Sequence, residues 1–223
     1  MTSIEETSAE CSAVLFEACA NILPGGCVVP DKNLDQIQAN ILHDREEMAL
    51  ALVNESLTQD PHNLNLQAYK AYLLYLLDEN AEALKICNHI LIATNEVGIS
   101  SDIYQIPKGF IHAVKASILL DVDDHTGALE ALNKAIQQEN HPFYSTLRAC
   151  IYFVLEDFNQ AISDATDAIN RFNGYSIFSP DRNEAVSEMY AIRAISSMML
   201  GLDWQDDFKE AISLGSEILQ DLY

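Results

Sequence analysis

The sequence predicts an all-α solenoid of about five stacked helical hairpins with an extra N-terminal helix. Three observations predict it. Alanine recurs at the same place in successive helical phrases, at Ala49, Ala83, Ala128, Ala161 and Ala211. The first two are 34 residues apart and the third and fourth 33 apart, a spacing typical of stacked supersecondary repeats. Only 6 Pro and 8 Gly interrupt 223 residues, and 49% of the chain is hydrophobic, enough for a continuous helical core.

The elements follow in order. Residues 3–23 read as an amphipathic helix: Ser3 and Glu6 fit a capping box, and Leu23-Pro24-Gly25-Gly26 ends the run. Val14, Leu15, Phe16 and Ile22 give it an apolar face that could cap the stack, dimerise or fill a groove. A short extended piece, Cys27-Val28-Val29-Pro30, leads out of this N-terminal segment, placed at 1–29. The repeats then occupy 30–223, at about 30–63, 64–97, 109–141, 142–173 and 185–223. Asp60-Pro61 stops the first hairpin, because proline disfavours helical geometry in the residue before it. Each unit has two helices around a polar turn such as Asp78-Glu79-Asn80. Small residues are expected where the two helices cross: Ala71 with Ala83, Ala116 with Ala128, Ala149 with Ala161, Ala194 with Ala211. Leu74, Leu119 and Tyr152 are expected to fill the space between units, since one hairpin cannot bury its apolar face alone. Insertions stand at 94–108 and 172–183, and the last hairpin carries a longer turn at 203–207.

The formal net charge is −22, from 34 acidic and 12 basic residues. So acidic a surface repels phosphate backbones and anionic membranes and favours basic partners, so nucleic acid is not expected as a direct ligand. No apolar stretch reaches membrane-spanning length, and the acidic start MTSIEETSAE is unlike a signal peptide, so a cytoplasmic protein is expected. The 5 cysteines are scattered without a C-x-x-C pair and read as reduced, buried thiols. No cofactor, metal or catalytic site is expected. The 6 His show no paired metal spacing, and no nucleophile motif or glycine-rich phosphate loop is present. Asp121-Val122-Asp123-Asp124-His125 crowds ionisable groups, but Thr126 and Leu132 stand where a calcium loop needs Gly and Glu, so it reads as a solvated turn.

The phrases Leu-Glu-Asp-Phe-Asn-Gln-Ala-Ile around Ala161 and Glu-Ala-Leu around Ala83 resemble the tetratricopeptide repeat (TPR) family, as do Gly201 and Asp60-Pro61. The resemblance covers about 30–223 and implies a right-handed solenoid whose concave groove is lined by the first helix of each hairpin. Carried onto this chain, the groove pattern picks Tyr72 and Tyr75, then Phe110, Ser117 and Leu120, then Phe143, Thr146 and Phe153, then Ile195 and Met198. An apolar stripe at this spacing serves equally as core. As a set on the face the family leaves open it reads as a peptide-binding ladder, with rigid aromatics as anchors. Some TPR co-chaperones hold acidic chaperone tails with a cationic clamp. The matching places here hold Ala68, Tyr69, Tyr72, Phe110 and Val114, none a cation, which disfavours that role.

Lys70, Lys115, Arg148 and Arg193 form a second ladder, each just before the small alanine of its helix. They are expected to pair with acidic residues of adjacent helices and set the stacking; the competing reading is an acidic ligand. The expected function is a non-enzymatic adaptor or chaperone that takes an apolar-anchored basic peptide in its groove. The rival is a structural subunit or homodimer associating through its ends, since no polar capping helix follows Leu219, Leu222 and Tyr223.

Overall fold

The computed structural model describes residues 33–96, 108–139, 141–174 and 180–220. The helix read at 3–23, the piece at 27–30, most of the 94–108 insertion, the centre of the 172–183 loop, and Leu222 and Tyr223 lie outside the described residues. The described residues fall into two compact units, one within 33–139 and the other within 141–220.

The first unit holds three hairpins: α1 (Leu34–Ile41) with α2 (Glu46–Gln59), α3 (Leu64–Leu76) with α4 (Asn80–Glu96), and α5 (Lys108–Asp121) with α6 (His125–Gln138). The second holds α7 (Pro142–Val154) with α8 (Phe158–Gly174), α9 (Pro180–Met199) with α10 (Gln205–Leu214), and the short α11 (Glu217–Gln220). Each helix packs on the next in the chain within its unit. Two pairs of first helices also touch, α3 with α5 and α7 with α9, whereas α1 and α3, α4 and α6, or α8 and α10 have no contact of that extent. At these two steps the first helices therefore approach each other more closely than the second helices do.

Alanine permits this packing. Ala49, Ala71, Ala83, Ala116, Ala128, Ala149, Ala161, Ala194 and Ala211 are all essentially inaccessible, so the helix backbones approach where a larger side chain would hold them apart. Leu74 is buried beside them, while Leu119 and Tyr152 are half-buried.

The hairpin turns repeat one backbone device. In the α3–α4 turn the Asp78 N–H donates to the Tyr75 carbonyl (3.0 Å) and the Glu79 N–H to the Leu74 carbonyl (2.8 Å). This is the Schellman cap, which satisfies the last carbonyls of a helix and needs one left-handed residue. Apart from Gly215, which ends α10, the left-handed residues among those described are Asp44, Asp78, Asp123, Glu156 and Gly201, one per hairpin turn. Only the last is glycine; the other four hold a conformation that costs an L-residue about 1 kcal/mol. Starts are capped too. The Asn63 side chain accepts from Asn65 N and Leu66 N, and the Asp124 carboxylate accepts from Gly127 N. That cap, together with His125 Nδ1 lying 3.0 Å from the Asp123 carbonyl and Asn80 donating to Asp121, shows what the ionisable groups of the 121–125 turn do locally.

Candidate protein-binding face

Tyr72 and Tyr75 lie one turn apart on α3, and Phe110, Ser117 and Leu120 follow helical spacing on α5. The two sets meet: the Tyr72 and Phe110 rings contact edge-on, with centroids 5.7 Å apart. This stripe is buried at one end and open at the other. Tyr72, Phe110 and Ser117 are inaccessible, while Tyr75 and Leu120 are half-buried near the C-terminal ends of their helices. The Ser117 hydroxyl is buried without a hydrogen-bond partner among the described residues.

In the second unit the expected ladder is spent differently. Phe143 packs edge-on against Phe172 (4.9 Å between centroids) and Phe153 against Phe158 (6.2 Å), both on the second helix of the same hairpin. Both phenylalanines are buried, and the buried Thr146 hydroxyl donates to its own helix at the Pro142 carbonyl. These three belong to the core of the α7–α8 hairpin, because the face that turns toward α8 shares their spacing. Ile195 is half-buried and Met198 is exposed at the end of α9.

The cationic ladder is mostly internal. Arg148 makes a two-pronged pair with Asp164 (2.7 and 2.8 Å), and Arg193 one with Asp207 (2.7 and 2.6 Å). The bond to Asp164 holds the Arg148 guanidinium even more firmly charged than usual. Lys115 departs from the expected acidic pairing: its ammonium donates to the Asn88 amide oxygen of α4 at 2.8 Å. Arg193 also reaches Thr166 of α8 at 3.1 Å. Asn88 and Thr166 each stand five residues after the small alanine of the preceding hairpin's second helix, so the two contacts are equivalent and tie neighbouring repeats. No hydrogen bond or ion pair among the described residues engages Lys70, which lines a shallow hollow of about 320 Å³ with Leu57, Gln67, Lys85 and His89.

Other ionisable groups are held away from reactivity. Burial pushes the Cys87 thiol up to about 12, so it stays protonated. Burial, with help from Lys134 and Lys115, lowers His112 to about 4; burial alone lowers His141 to about 4. Among the described residues no three His, Cys, Asp or Glu side chains converge as a metal site. Nor is any described helix long and apolar enough to cross a membrane.

No protein-family model matches the chain. A curated relative, the small glutamine-rich tetratricopeptide repeat-containing protein of Dictyostelium discoideum, is 28% identical over 128 residues, or 56% of this chain; the match spans only 38% of that relative's length. Among solved structures, a thermophilic TPR protein of Thermus thermophilus superposes with a TM-score of 0.62 at 14% identity, covering 86% of this chain and 94% of that one. MamA superposes at 0.59 with 14% identity, covering 84% of this chain and 97% of that one. Hairpins of antiparallel helices crossing at alanine, each turned by the same cap, define an all-α solenoid. The fold is that of the solved TPR protein of Thermus thermophilus, and the curated relative that the chain resembles also carries tetratricopeptide repeats.

Proposed function

We propose that the chain is a non-enzymatic, cytoplasmic protein-binding module of the adaptor or chaperone kind. The TPR fold suggests protein–protein interaction as its coarse role. The finer proposal is that the first-helix face takes an extended or helical peptide with apolar anchors and basic residues between them. One observation carries it: the first helices α3 and α5 touch, and their joined stripe ends in the half-buried Tyr75 and Leu120. A net charge of −22 supports lysine and arginine in the peptide. An aromatic and a leucine with a buried floor beneath them would anchor such a peptide at small entropic cost.

The test is selection from a random peptide library, comparing wild type with Tyr75→Ser/Leu120→Ser. The proposal expects basic peptides with two or more large apolar residues, lost in the variant while its helical content persists. Enrichment of acidic peptides, or the same peptides retained by the variant, would refute it. Phe153 is a poorer site for this test, since truncating a buried phenylalanine costs about 3–5 kcal/mol and would confuse unfolding with lost binding.

A further inference from the structure

The last hairpin turn is unlike the others. At the α5–α6 turn one large apolar side chain, Val122, is exposed, and at the α7–α8 turn one, Leu155; at the α3–α4 turn Leu76 and Leu77 are half-buried. Around the α9–α10 turn Met198, Met199, Leu200 and Leu202 are exposed by 48, 59, 39 and 54%. Trp204 follows, half-buried and edge-on to Phe208 with centroids 5.5 Å apart. Five large apolar residues thus occupy seven consecutive positions at one hairpin end, an uncommon burden for a solvated turn. Two are methionines, whose unbranched, polarisable side chains adapt to irregular apolar partners.

The surroundings say what fits. Asp203, Asp206, Asp207 and Glu210 stand beside the run, and the stretch 203–210 carries one cation of its own, Lys209. Lys209 is spent locally on Asp206 at 2.8 Å, and Asp207 on Arg193. Asp203 and Glu210 remain at the rim. An apolar run edged by carboxylates, in a chain of net charge −22, selects a cationic amphipathic segment. A second copy would bring the same negative rim to the contact, and an anionic bilayer would be repelled.

We infer that the α9–α10 turn is a second docking surface, distinct from the α3–α5 face and independent of it, for a cationic amphipathic helix of a partner protein. Apolar side chains of that helix rest on Met198, Met199, Leu200 and Leu202, and its Lys or Arg residues face Asp203 and Glu210.

Methionine-methyl NMR of the full chain reads this locally. The chain has 5 Met, and Met48 on α2, exposed, and Met189, buried, are built-in references. Two 18-residue synthetic peptides with one amphipathic pattern serve as probes, one of Leu and Lys, the other of Leu and Glu. The Leu/Lys peptide should shift the Met198 and Met199 methyl signals saturably while Met48 stays put; the Leu/Glu peptide should shift neither. Asp203→Asn/Glu210→Gln should weaken the saturation at least threefold and flatten its salt dependence. Equal movement of Met48 would mean diffuse charge attraction and overturn the inference, as would unmoved Met198 and Met199 signals. Shifts produced by raising protein concentration alone would hand the surface to a second copy. None of these readings involves Tyr75 or Leu120, so this inference and the peptide-face proposal can fail separately.

Discussion

The two units place a cation before the same small alanine and then use it differently. In the second unit Arg148 and Arg193 close two-pronged pairs with Asp164 and Asp207. In the first, Lys115 bonds an amide, and Lys70 engages no described partner. Yet both units keep the same crossing alanines and the same left-handed turn residues. The hairpin is thus set by close backbone approach and turn geometry, while the ladder tunes local strength. Arginine suits the paired version because its planar fork matches a carboxylate, whereas lysine offers a point charge that an amide oxygen can satisfy.

The largest expected effect breaks that contrast directly. The Asp164 side chain is only 7% exposed, so Arg148→Ala leaves a nearly buried carboxylate unpaired and should cost about 3 kcal/mol. Lys115→Ala leaves only a neutral amide and should cost about 1 kcal/mol. Urea denaturation of both variants measures the difference; equal losses would mean the ladder is equivalent in the two units.

A smaller effect comes from pH, again with one reporter per unit. His112 and His141 have folded pKa values near 4, below the ordinary 6.5. As pH falls the unfolded chain takes up those protons first, so the stability they contribute is complete above about 6.5 and drains away between 6.5 and 4. Thermal melts across that window should show a falling Tm, with a shallower fall for His112→Gln. Burial pushes the carboxyls of Asp121 and Glu139 up, which acts in the opposite sense as they protonate, so the His112→Gln slope is the cleaner readout.

Smaller still are the turns. Asp78→Gly in the first unit and Glu156→Gly in the second should each stabilise by about 0.5–1 kcal/mol by relieving a left-handed side chain. Gly201→Ala should destabilise by about 1 kcal/mol, although nothing crowds its position. Chemical denaturation distinguishes these signs, and a loss on Asp78→Gly would show that its side chain matters more than its backbone. The smallest effect is on the apolar turn. Met199→Ser/Leu202→Ser should leave stability within about 0.5 kcal/mol, because both side chains are already in water.

The fold was legible because its determinants are local and periodic: alanines 33 or 34 residues apart, and turns that repeat at the same offset. The packing of the proposed face was legible only in part. Phe143 and Phe110 occupy matching repeat positions, but Phe143 meets Phe172 within its own hairpin whereas Phe110 meets Tyr72 of the preceding one. Helical spacing marks a stripe as apolar without saying which neighbour covers it. Lys115 taking Asn88 as its partner was hidden for a related reason: 27 residues separate them, and an amide carries no charge to betray the pairing. The exposed turn carried a readable signal in Met-Met-Leu-Gly-Leu, a run too apolar for a solvated hairpin end, although the sequence reading used only Met198, as groove lining, and Gly201, as a repeat match.

The central claim is that a partner lies on the first-helix layer and not on the second. Replacing Tyr75 with a photo-cross-linking phenylalanine analogue, and separately Met48 on the second helix α2, tests it with the full chain and its native cell extract. The account predicts a discrete cross-linked protein from position 75 that a Leu/Lys peptide competes away, and none from position 48. Cross-linking from position 48 alone, or equally from both, would contradict it.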